Sequence, residues 1–248
     1  MFYNLLKFYS RLAIKIYCRK IIVNKPEILN KNGPLLLAAN HPNSFFDGII
    51  ITTLFEQPVF SLARGDVFKY KRIDQFLRRI QLLPIYRTSE GVKNLSHNYT
   101  TFDACQKTFE RKGIILIFCE GRCENEWHLR SLKKGTARLA TTAWQNNIDL
   151  EVIPVGINYS SFKKYGKEAH IFFGDPILSA NIMKEEVNAR QLIAFNEDIE
   201  QQLKQLVYEI EPSEKKQLKR TFAFNNNNLF LLPAFIGWLV HSPLYYPC

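Results

Sequence analysis

The chain has 248 residues, 46% of them hydrophobic, and carries 33 basic against 23 acidic side chains. This length allows one large α/β domain or two small ones, with enough apolar side chains to fill a core. Five scattered cysteines argue against a secreted disulfide framework and favour a reducing compartment. The net charge of +10 calls for an anionic partner: nucleic acid, an anionic membrane or a phosphorylated substrate. No zinc-finger, RNP or basic-zipper pattern occurs, so nucleic acid is not expected.

Residues 1–24 are predicted to form an N-terminal amphipathic helix. Its basic stripe is Lys7, Arg11, Lys15 and Arg19, and its apolar stripe is Leu5, Tyr9, Leu12 and Ile16. The pattern is typical of a helix lying in a bilayer interface with its basic groups at the headgroups. The charges recur too often for a spanning helix or a secretory signal. The alternative is a helix packed on its own domain. We predict the first, with the protein membrane-associated at the cytoplasmic face.

Residues 25–215 alternate between apolar runs and helical patterns. Strands are predicted at 35–39, 59–63, 82–86, 114–118, 151–157 and 169–173, and helices at 44–55, 67–80, 92–111, 134–146 and 188–210. Continuous apolar strands alternating with helices predict an α/β fold with a mostly parallel central sheet flanked by helices. Pro154, inside a predicted strand, indicates an edge position or a bulge near a site.

Residues 216–248 are predicted to form an Asn-rich linker followed by a C-terminal apolar segment. Four consecutive asparagines occupy positions 225–228. The apolar stretch that follows is interrupted by Pro233 and Gly237. It is too short and too broken to predict a spanning helix.

The run NHPNSFFD at residues 40–47 places His41 and Asp47 at a strand-to-helix junction. A histidine with an orienting carboxylate is a general base that can draw a proton from a hydroxyl group. No Gly-x-Ser-x-Gly motif occurs, so the substrate would supply the nucleophile. The alternative is that Ser44 and Asp47 simply cap the helix. The two side chains can meet only if His41 lies in the loop before the helix.

A second informative segment joins the end of the strand at 114–118 to a basic loop. Glu120 and Gly121 follow that strand, and Gly121 allows close backbone approach to a ligand. The basic residues that could neutralise a phosphate are Arg122, Arg130, Lys133 and Lys134. The alternative is a solvated basic loop. Arg87 similarly stands alone at a strand exit.

Four segments, in this order, resemble the sequence blocks of the glycerolipid acyltransferase superfamily, whose members acylate glycerol-3-phosphate or lysophospholipids. They are NHPNSFFD at 40–47, LPIYR at 83–87, FCEGR at 118–122 and IPVG at 153–156. The resemblance spans about residues 34–175, within an acyltransferase domain at 25–215.

The resemblance implies a role for one or more residues of each block. His41 and Asp47 would form the catalytic dyad, and Arg87 would contact the acceptor phosphate. Glu120 and Gly121 form the core of the third block. Arg122 is a second phosphate contact by position, and Pro154 lies in the block near the acyl pocket.

The sequence departs from the family pattern in two blocks. Five residues separate His41 from Asp47, where four are commoner, and a subset of glycerol-3-phosphate acyltransferase-like members has the longer form. In the third block Cys119 replaces a proline, and residues 122–124 read Arg-Cys-Glu instead of Thr-Arg-Ser. The acceptor and the phosphate role of Arg122 are therefore less firmly implied than the dyad.

The reaction implied is transfer of a fatty acyl group from acyl-CoA or acyl-carrier protein to a hydroxyl group. The acceptor would be glycerol-3-phosphate or a lysophospholipid such as lysophosphatidate, and neither a cofactor nor a metal is expected. Two alternatives stay open: an acyl thioesterase using the same dyad with water, and a non-catalytic membrane-binding module.

Overall fold

A computed structural model describes residues 2–86, 97–182 and 189–211. The helices are α1 (Phe2–Tyr17), α2 (Phe45–Leu54), α3 (Lys71–Arg79), α4 (His97–Glu110), α5 (Gly135–Gln145), α6 (Ser179–Ile182) and α7 (Ala189–Leu206). The strands are β1 (Cys18–Val23), β2 (Leu35–Ala39), β3 (Val59–Arg64), β4 (Leu82–Ile85), β5 (Ile114–Phe118), β6 (Glu151–Tyr159) and β7 (Lys167–Phe173). Short 3-10 helices lie at Pro26–Asn30 and Gly65–Phe68. The predicted segment 216–248 and Arg87 lie outside the described residues.

The strands form one seven-stranded sheet in the order β1-β7-β6-β2-β5-β3-β4. Within the described chain, β6 and β7 pair antiparallel and the other neighbours pair parallel. Successive side chains of a strand point to opposite faces, and both faces of this sheet are covered by helices. The predicted α/β fold with a mostly parallel sheet and an N-terminal helix is confirmed.

The central strand β2 shows how the two cores arise from one apolar run. Leu35 and Leu37 pack into the core that contains side chains of α1 and α2. Leu36 and Ala38 pack into the opposite core, which contains side chains of α4, α5 and α7. All four side chains are completely buried. An uninterrupted apolar strand is therefore required here, because neither of its faces meets solvent.

Two local predictions are wrong. The helix predicted to reach residue 24 ends at Tyr17, and residues 18–23 form strand β1, which pairs with β7. Pro154 lies in the interior strand β6, in regular register with β2 rather than at an edge. It is tolerated because its missing N–H faces the point where β7 ends, and its carbonyl still accepts the N–H of Gly174 at 2.9 Å.

Helix α1 packs on the domain through Lys7 and Arg11, two of the four residues of its basic stripe, which therefore do not extend outward to headgroups as predicted. Lys7 Nζ donates to the carbonyls of Glu56 and Gln57 at 3.0 and 3.1 Å. Arg11 donates to the carbonyls of Thr53 and Phe55 at 2.7 and 3.0 Å. These carbonyls lie at and just beyond the end of α2, where a helix dipole favours cations. The two basic side chains therefore bind α2 rather than facing outward.

The apolar stripe of α1 is left on the surface. The exposed apolar side chains of the helix are Phe2, Leu5, Phe8, Tyr9, Leu12 and Ile16. Ile14 is the buried residue of the helix. Among residues 2–86, 97–182 and 189–211, no helix combines the length and the hydropathy that crossing a membrane requires.

Candidate active site

The ends of β2, β5 and β6 bring together two predicted site residues, His41 and Glu120, and one that was not predicted, Tyr159. His41 follows β2 directly after Asn40, Glu120 follows β5, and Tyr159 is the last residue of β6. These three strands are parallel neighbours in the middle of the sheet. The carboxyl ends of central parallel strands, where the chain crosses from one side of the sheet to the other, are the usual ligand-binding edge of an α/β fold.

His41 and Asp47 are in direct contact. His41 Nδ1 lies 2.9 Å from Asp47 Oδ2. His41 stands in the loop before α2, and Asp47 lies in the first turn of that helix. The chain between them turns sharply at Ser44, whose φ of 52° is one that L residues rarely adopt. The sequence analysis allowed a contact between His41 and Asp47 only if His41 lies in the loop before the helix. The structure places His41 in that loop.

Asp47 is fully buried and accepts hydrogen bonds on both carboxylate oxygens. Besides His41, Oδ2 accepts the backbone N–H of Asn43 at 2.7 Å, and Oδ1 accepts the Tyr159 hydroxyl at 2.8 Å. Burial raises the pKa of Asp47, and the bonds from these donors oppose that rise. The Asn43 bond joins Asp47 to the loop that carries His41 and closes the turn before α2. Ser44 itself makes no side-chain cap bond.

The imidazole of His41 is held from several sides. Its ring stacks on Phe118 with centroids 3.8 Å apart. An ionised carboxylate only accepts hydrogen bonds, so Asp47 fixes the proton of His41 on Nδ1. Among the described residues, none forms a hydrogen bond with Nε2, and 15% of the side chain is exposed. Nε2 is thus left as the basic nitrogen facing the site.

Glu120 ties the loop after β5 to the loop after β2. Its Oε2 accepts the backbone N–H of His41 at 3.0 Å, and its Oε1 accepts that of Arg130 at 3.1 Å. The side chain is buried, and burial raises the pKa of Glu120 against the effect of these two bonds. A buried carboxylate with a backbone donor on each oxygen positions the two loops that supply those donors. A substrate contact for Glu120 stays a prediction.

The loop of residues 121–124 approaches the turn between His41 and Asp47. The backbone N–H of Ser44 lies 2.9 Å from Cys123 Sγ, and the N–H of Glu124 donates to the carbonyl of His41 at 3.3 Å. Gly121 has a φ of +70°, and a Cβ there would approach Lys133 Cγ to 3.0 Å. Glycine suits this position because φ is positive and because a side chain would crowd Lys133.

The arginines of the predicted phosphate site share one acidic partner. Arg122 Nε lies 3.5 Å from Glu124 Oε1, and Arg130 Nη1 lies 3.4 Å from the same oxygen. The Arg122 side chain is 61% exposed, whereas that of Arg130 is 20% exposed. The Arg122–Glu124 pair is exposed, and exposed ion pairs are weak and can be exchanged for another anion. A phosphate role for Arg122 stays a prediction, as does that of Arg87, which lies outside the described residues.

Three contacts at the site were not predicted from the sequence. The Tyr159 hydroxyl bonds Asp47, Phe118 stacks on His41, and the Asn40 side chain bonds both the N–H and the carbonyl of Ile157, at 2.7 and 3.1 Å. Tyr159 and Phe118 end strands whose ends meet at the site, which is a signal that the sequence carried. Pro154 pairs in register with Ala38 of β2, two residues before Asn40.

Comparison with known proteins identifies the family. The acyltransferase family matches residues 20–158, more than half of the chain and all four sequence blocks. The chain belongs to the acyltransferase family. This assignment confirms the resemblance found in the sequence, and it places the His41–Asp47 pair inside the matched region of an acyltransferase.

One solved structure of similar fold is the 1-acyl-sn-glycerophosphate (LPA) acyltransferase PlsC from Thermotoga maritima. Its TM-score is 0.57, and the match covers 91% of this chain and 81% of that one. The two sequences are 12% identical, so the likeness concerns the fold of this acyltransferase. No curated protein matches the chain.

Proposed function

We propose that this acyltransferase moves a fatty acyl group from an acyl thioester to the hydroxyl of glycerol-3-phosphate or of a lysophospholipid such as lysophosphatidate. The observation that carries the proposal is the His41 Nδ1–Asp47 Oδ2 contact of 2.9 Å, which leaves Nε2 directed away from the carboxylate. That arrangement makes Nε2 a general base for an acceptor hydroxyl. The donor would be acyl-CoA or acyl-carrier protein.

The proposed reaction has two steps. His41 Nε2 takes the hydroxyl proton of the acceptor while the acceptor oxygen forms a bond to the thioester carbonyl carbon. The tetrahedral intermediate then collapses, the carbon–sulfur bond breaks, and the leaving sulfur takes the proton from the imidazolium. Asp47 holds the tautomer and stabilises the transient imidazolium without itself taking the proton. Proton transfer of this kind contributes about 10²–10⁴-fold in rate.

The acceptor phosphate would be bound by the loop after β5, which carries Arg122 and Arg130 and lies beside His41. Arg130 lies next to the dyad because its backbone N–H and that of His41 bind the same Glu120 carboxylate. Arg122 and Arg130 can exchange their contacts with Glu124 for a phosphate, which makes charge-assisted bonds. Arg87 is assigned to the same phosphate by family resemblance. The Thermotoga maritima protein of similar fold is named an LPA acyltransferase, which supports a lysophosphatidate acceptor.

A thioesterase would use the same pair with water, so the test must separate transfer from hydrolysis. Purified protein is given acyl-CoA or acyl-carrier protein with glycerol-3-phosphate, lysophosphatidate, a zwitterionic lysolipid or no acceptor. Free thiol and acylated product are measured together. The proposal predicts product in proportion to thiol and little thiol without an acceptor. Equal thiol release with and without acceptor would establish hydrolysis instead. Vesicle binding without any thiol release would establish the non-catalytic membrane module.

We also propose that α1 rests in a membrane interface at the cytoplasmic face, with its exposed apolar stripe toward the lipid. The apolar stripe keeps the lipid-facing side that the sequence predicted, whereas Lys7 and Arg11 contact α2 instead of headgroups. The apolar surface continues onto α3, because the Phe2 and Phe76 rings lie 6.1 Å apart and Ile73 is also exposed. Basic side chains surround this part of α3, at Lys69, Lys71, Arg72, Arg78 and Arg79. Apolar side chains with flanking cations favour an anionic lipid surface.

A further inference from the structure

Tyr159 makes a buried polar contact to the dyad from the side opposite His41. It is the last residue of β6, its side chain is fully buried, and its hydroxyl donates to Asp47 Oδ1 at 2.8 Å. His41 occupies the other carboxylate oxygen. The carboxylate is therefore held between an imidazole on one oxygen and a phenol on the other.

The phenol ring is fixed by its own surroundings. It packs against Phe46, one residue before Asp47, with centroids 5.6 Å apart. On β7 the buried Lys167 places Nζ 5.2 Å from the centre of the Tyr159 ring. Lys167 is itself held by a hydrogen bond from Nζ to the Phe162 carbonyl at 2.5 Å. A cation over a phenol ring draws electron density from it and strengthens the hydroxyl as a donor.

We propose that Tyr159, with Lys167 over its ring, is the positioning residue that orients the Asp47 carboxylate toward His41. This inference rests on the proposed function and deepens it. A carboxylate in the first turn of a helix can rotate about its terminal bond. Donors on both oxygens fix its plane: His41 and the Asn43 N–H on Oδ2, and Tyr159 alone on Oδ1. Oδ2 then lies where the His41 N–H meets it. Without the phenol hydroxyl, Oδ1 would be a buried oxygen with no donor, and the carboxylate would turn to recover one.

The direct variant is Tyr159→Phe, which keeps the ring, its packing and the cation contact and removes only the hydroxyl. A hydrogen bond to a charged group contributes about 1.5–3 kcal/mol, which corresponds to about 10- to 100-fold in rate when lost at the transition state. We expect kcat to fall by about that factor. The KM values for acyl donor and acceptor should stay within about twofold, because Tyr159 contacts neither.

A matched control is Tyr208→Phe. The Tyr208 hydroxyl also bonds a histidine of the sheet, His170 Nδ1, at 2.8 Å, but it lies outside the dyad. This variant should leave kcat unchanged. Circular dichroism and thermal unfolding of both variants check that the fold is kept.

A spectroscopic measurement separates positioning from a general loss of stability. The His41 Nδ1–H proton should give a downfield resonance at pH 7 in the wild type, because it is bonded to a buried carboxylate. Tyr159→Phe should shift that resonance upfield or abolish it, and Tyr208→Phe should not move it. If Tyr159→Phe fails to fold, Lys167→Met, which keeps the hydroxyl but removes the cation, should shift the resonance in the same direction.

The outcomes distinguish this inference from the proposed function. The positioning role would be overturned if Tyr159→Phe left both the resonance and kcat unchanged. If Tyr159→Phe does not fold, an unchanged resonance in Lys167→Met would overturn it. A wild-type protein without acyl transfer would overturn the proposed function alone, since the resonance reports the His41–Asp47 bond independently of turnover.

Discussion

Glu120 holds the backbone of His41 in place: its Oε2 accepts the His41 N–H at 3.0 Å while its other oxygen holds the N–H of Arg130. Two sequence blocks separated by about eighty residues are thereby joined through one buried carboxylate. The loop that carries Arg122 and Arg130 and the loop that carries His41 are consequently tied to each other.

Replacing Glu120 by Gln should loosen His41 without changing side-chain shape. The amide nitrogen of Gln cannot accept a hydrogen bond, so one backbone donor is left unpaired at a cost of about 1–3 kcal/mol. We expect a lower unfolding free energy and a kcat reduced by about tenfold or more. Glu151→Gln is the matched control, because Glu151 begins β6 at the opposite end of the sheet. Equal kcat values for Glu120→Gln and the control would contradict the positioning of His41 by Glu120.

Replacing Glu124 by Gln should improve binding of a phosphorylated acceptor. The change removes a carboxylate that competes with phosphate for Arg122 and Arg130. The exposed Arg122–Glu124 pair is worth about 0.2–1 kcal/mol, so the acceptor KM should fall by about 1.4- to fivefold. The KM for the acyl donor should not change, and Arg130→Gln should raise the acceptor KM instead. Steady-state kinetics with each substrate varied in turn decides; an acceptor KM that rises in Glu124→Gln would place the phosphate elsewhere.

Acidic substitutions on the apolar stripe of α1 should weaken membrane binding. Leu12 and Ile16 are both about half exposed, and burying such a side chain contributes about 1.5–3 kcal/mol. Leu12→Asp with Ile16→Asp should therefore reduce binding to anionic vesicles at least about tenfold in flotation experiments. Ile193→Asp is the control, because Ile193 is similarly exposed on α7, which covers the other face of the sheet. Activity on a short-chain, water-soluble thioester should survive in both. Flotation that matches the control would show that lipid does not contact α1.

Lys167 should make the protein gain stability as the pH rises above 8. Burial lowers the pKa of Lys167 from 10.5 to about 8, with Asp47 and Cys18 nearby opposing that shift. Between about pH 8 and 10.5 the unfolded chain binds more protons than the folded one, so the unfolding free energy rises with pH. Lys167→Met removes this contribution. The difference in unfolding free energy, wild type minus variant, should therefore increase across that range in denaturant titrations. The pKa of Lys7 is also lowered to about 8, but Lys7 is present in both proteins and cancels. A constant difference would mean that Lys167 titrates normally.

The fold could be predicted because it depends on local apolar patterns, whereas the dyad was implied by the family resemblance, since spacing alone left the capping alternative open. The predicted and observed bounds of β2 and β5 are the same. Strands that are buried on both faces consist of continuous apolar residues, which are easily recognised in a sequence. The strand β1 was missed because residues 18–23 contain Arg19 and Lys20, which continue the charge spacing of the helix before it. The contacts of Lys7 and Arg11 could not be predicted, because they depend on the carbonyl groups at the end of a separate helix, α2. The Tyr159–Asp47 bond likewise depends on the register of β6 against β2.

The rate of acceptor-dependent acyl transfer by His41→Ala tests the central claim most directly. Wild type, His41→Ala, Asp47→Asn and the control His128→Ala are compared at pH 7 with acyl thioester and lysophosphatidate or glycerol-3-phosphate. His128 is an exposed histidine paired with Glu126. Loss of the general base should lower kcat in His41→Ala by at least about 10²-fold with the fold intact. Asp47→Asn should keep a small residual rate, and His128→Ala should match the wild type. Near-normal acyl transfer by a folded His41→Ala protein would contradict the mechanism.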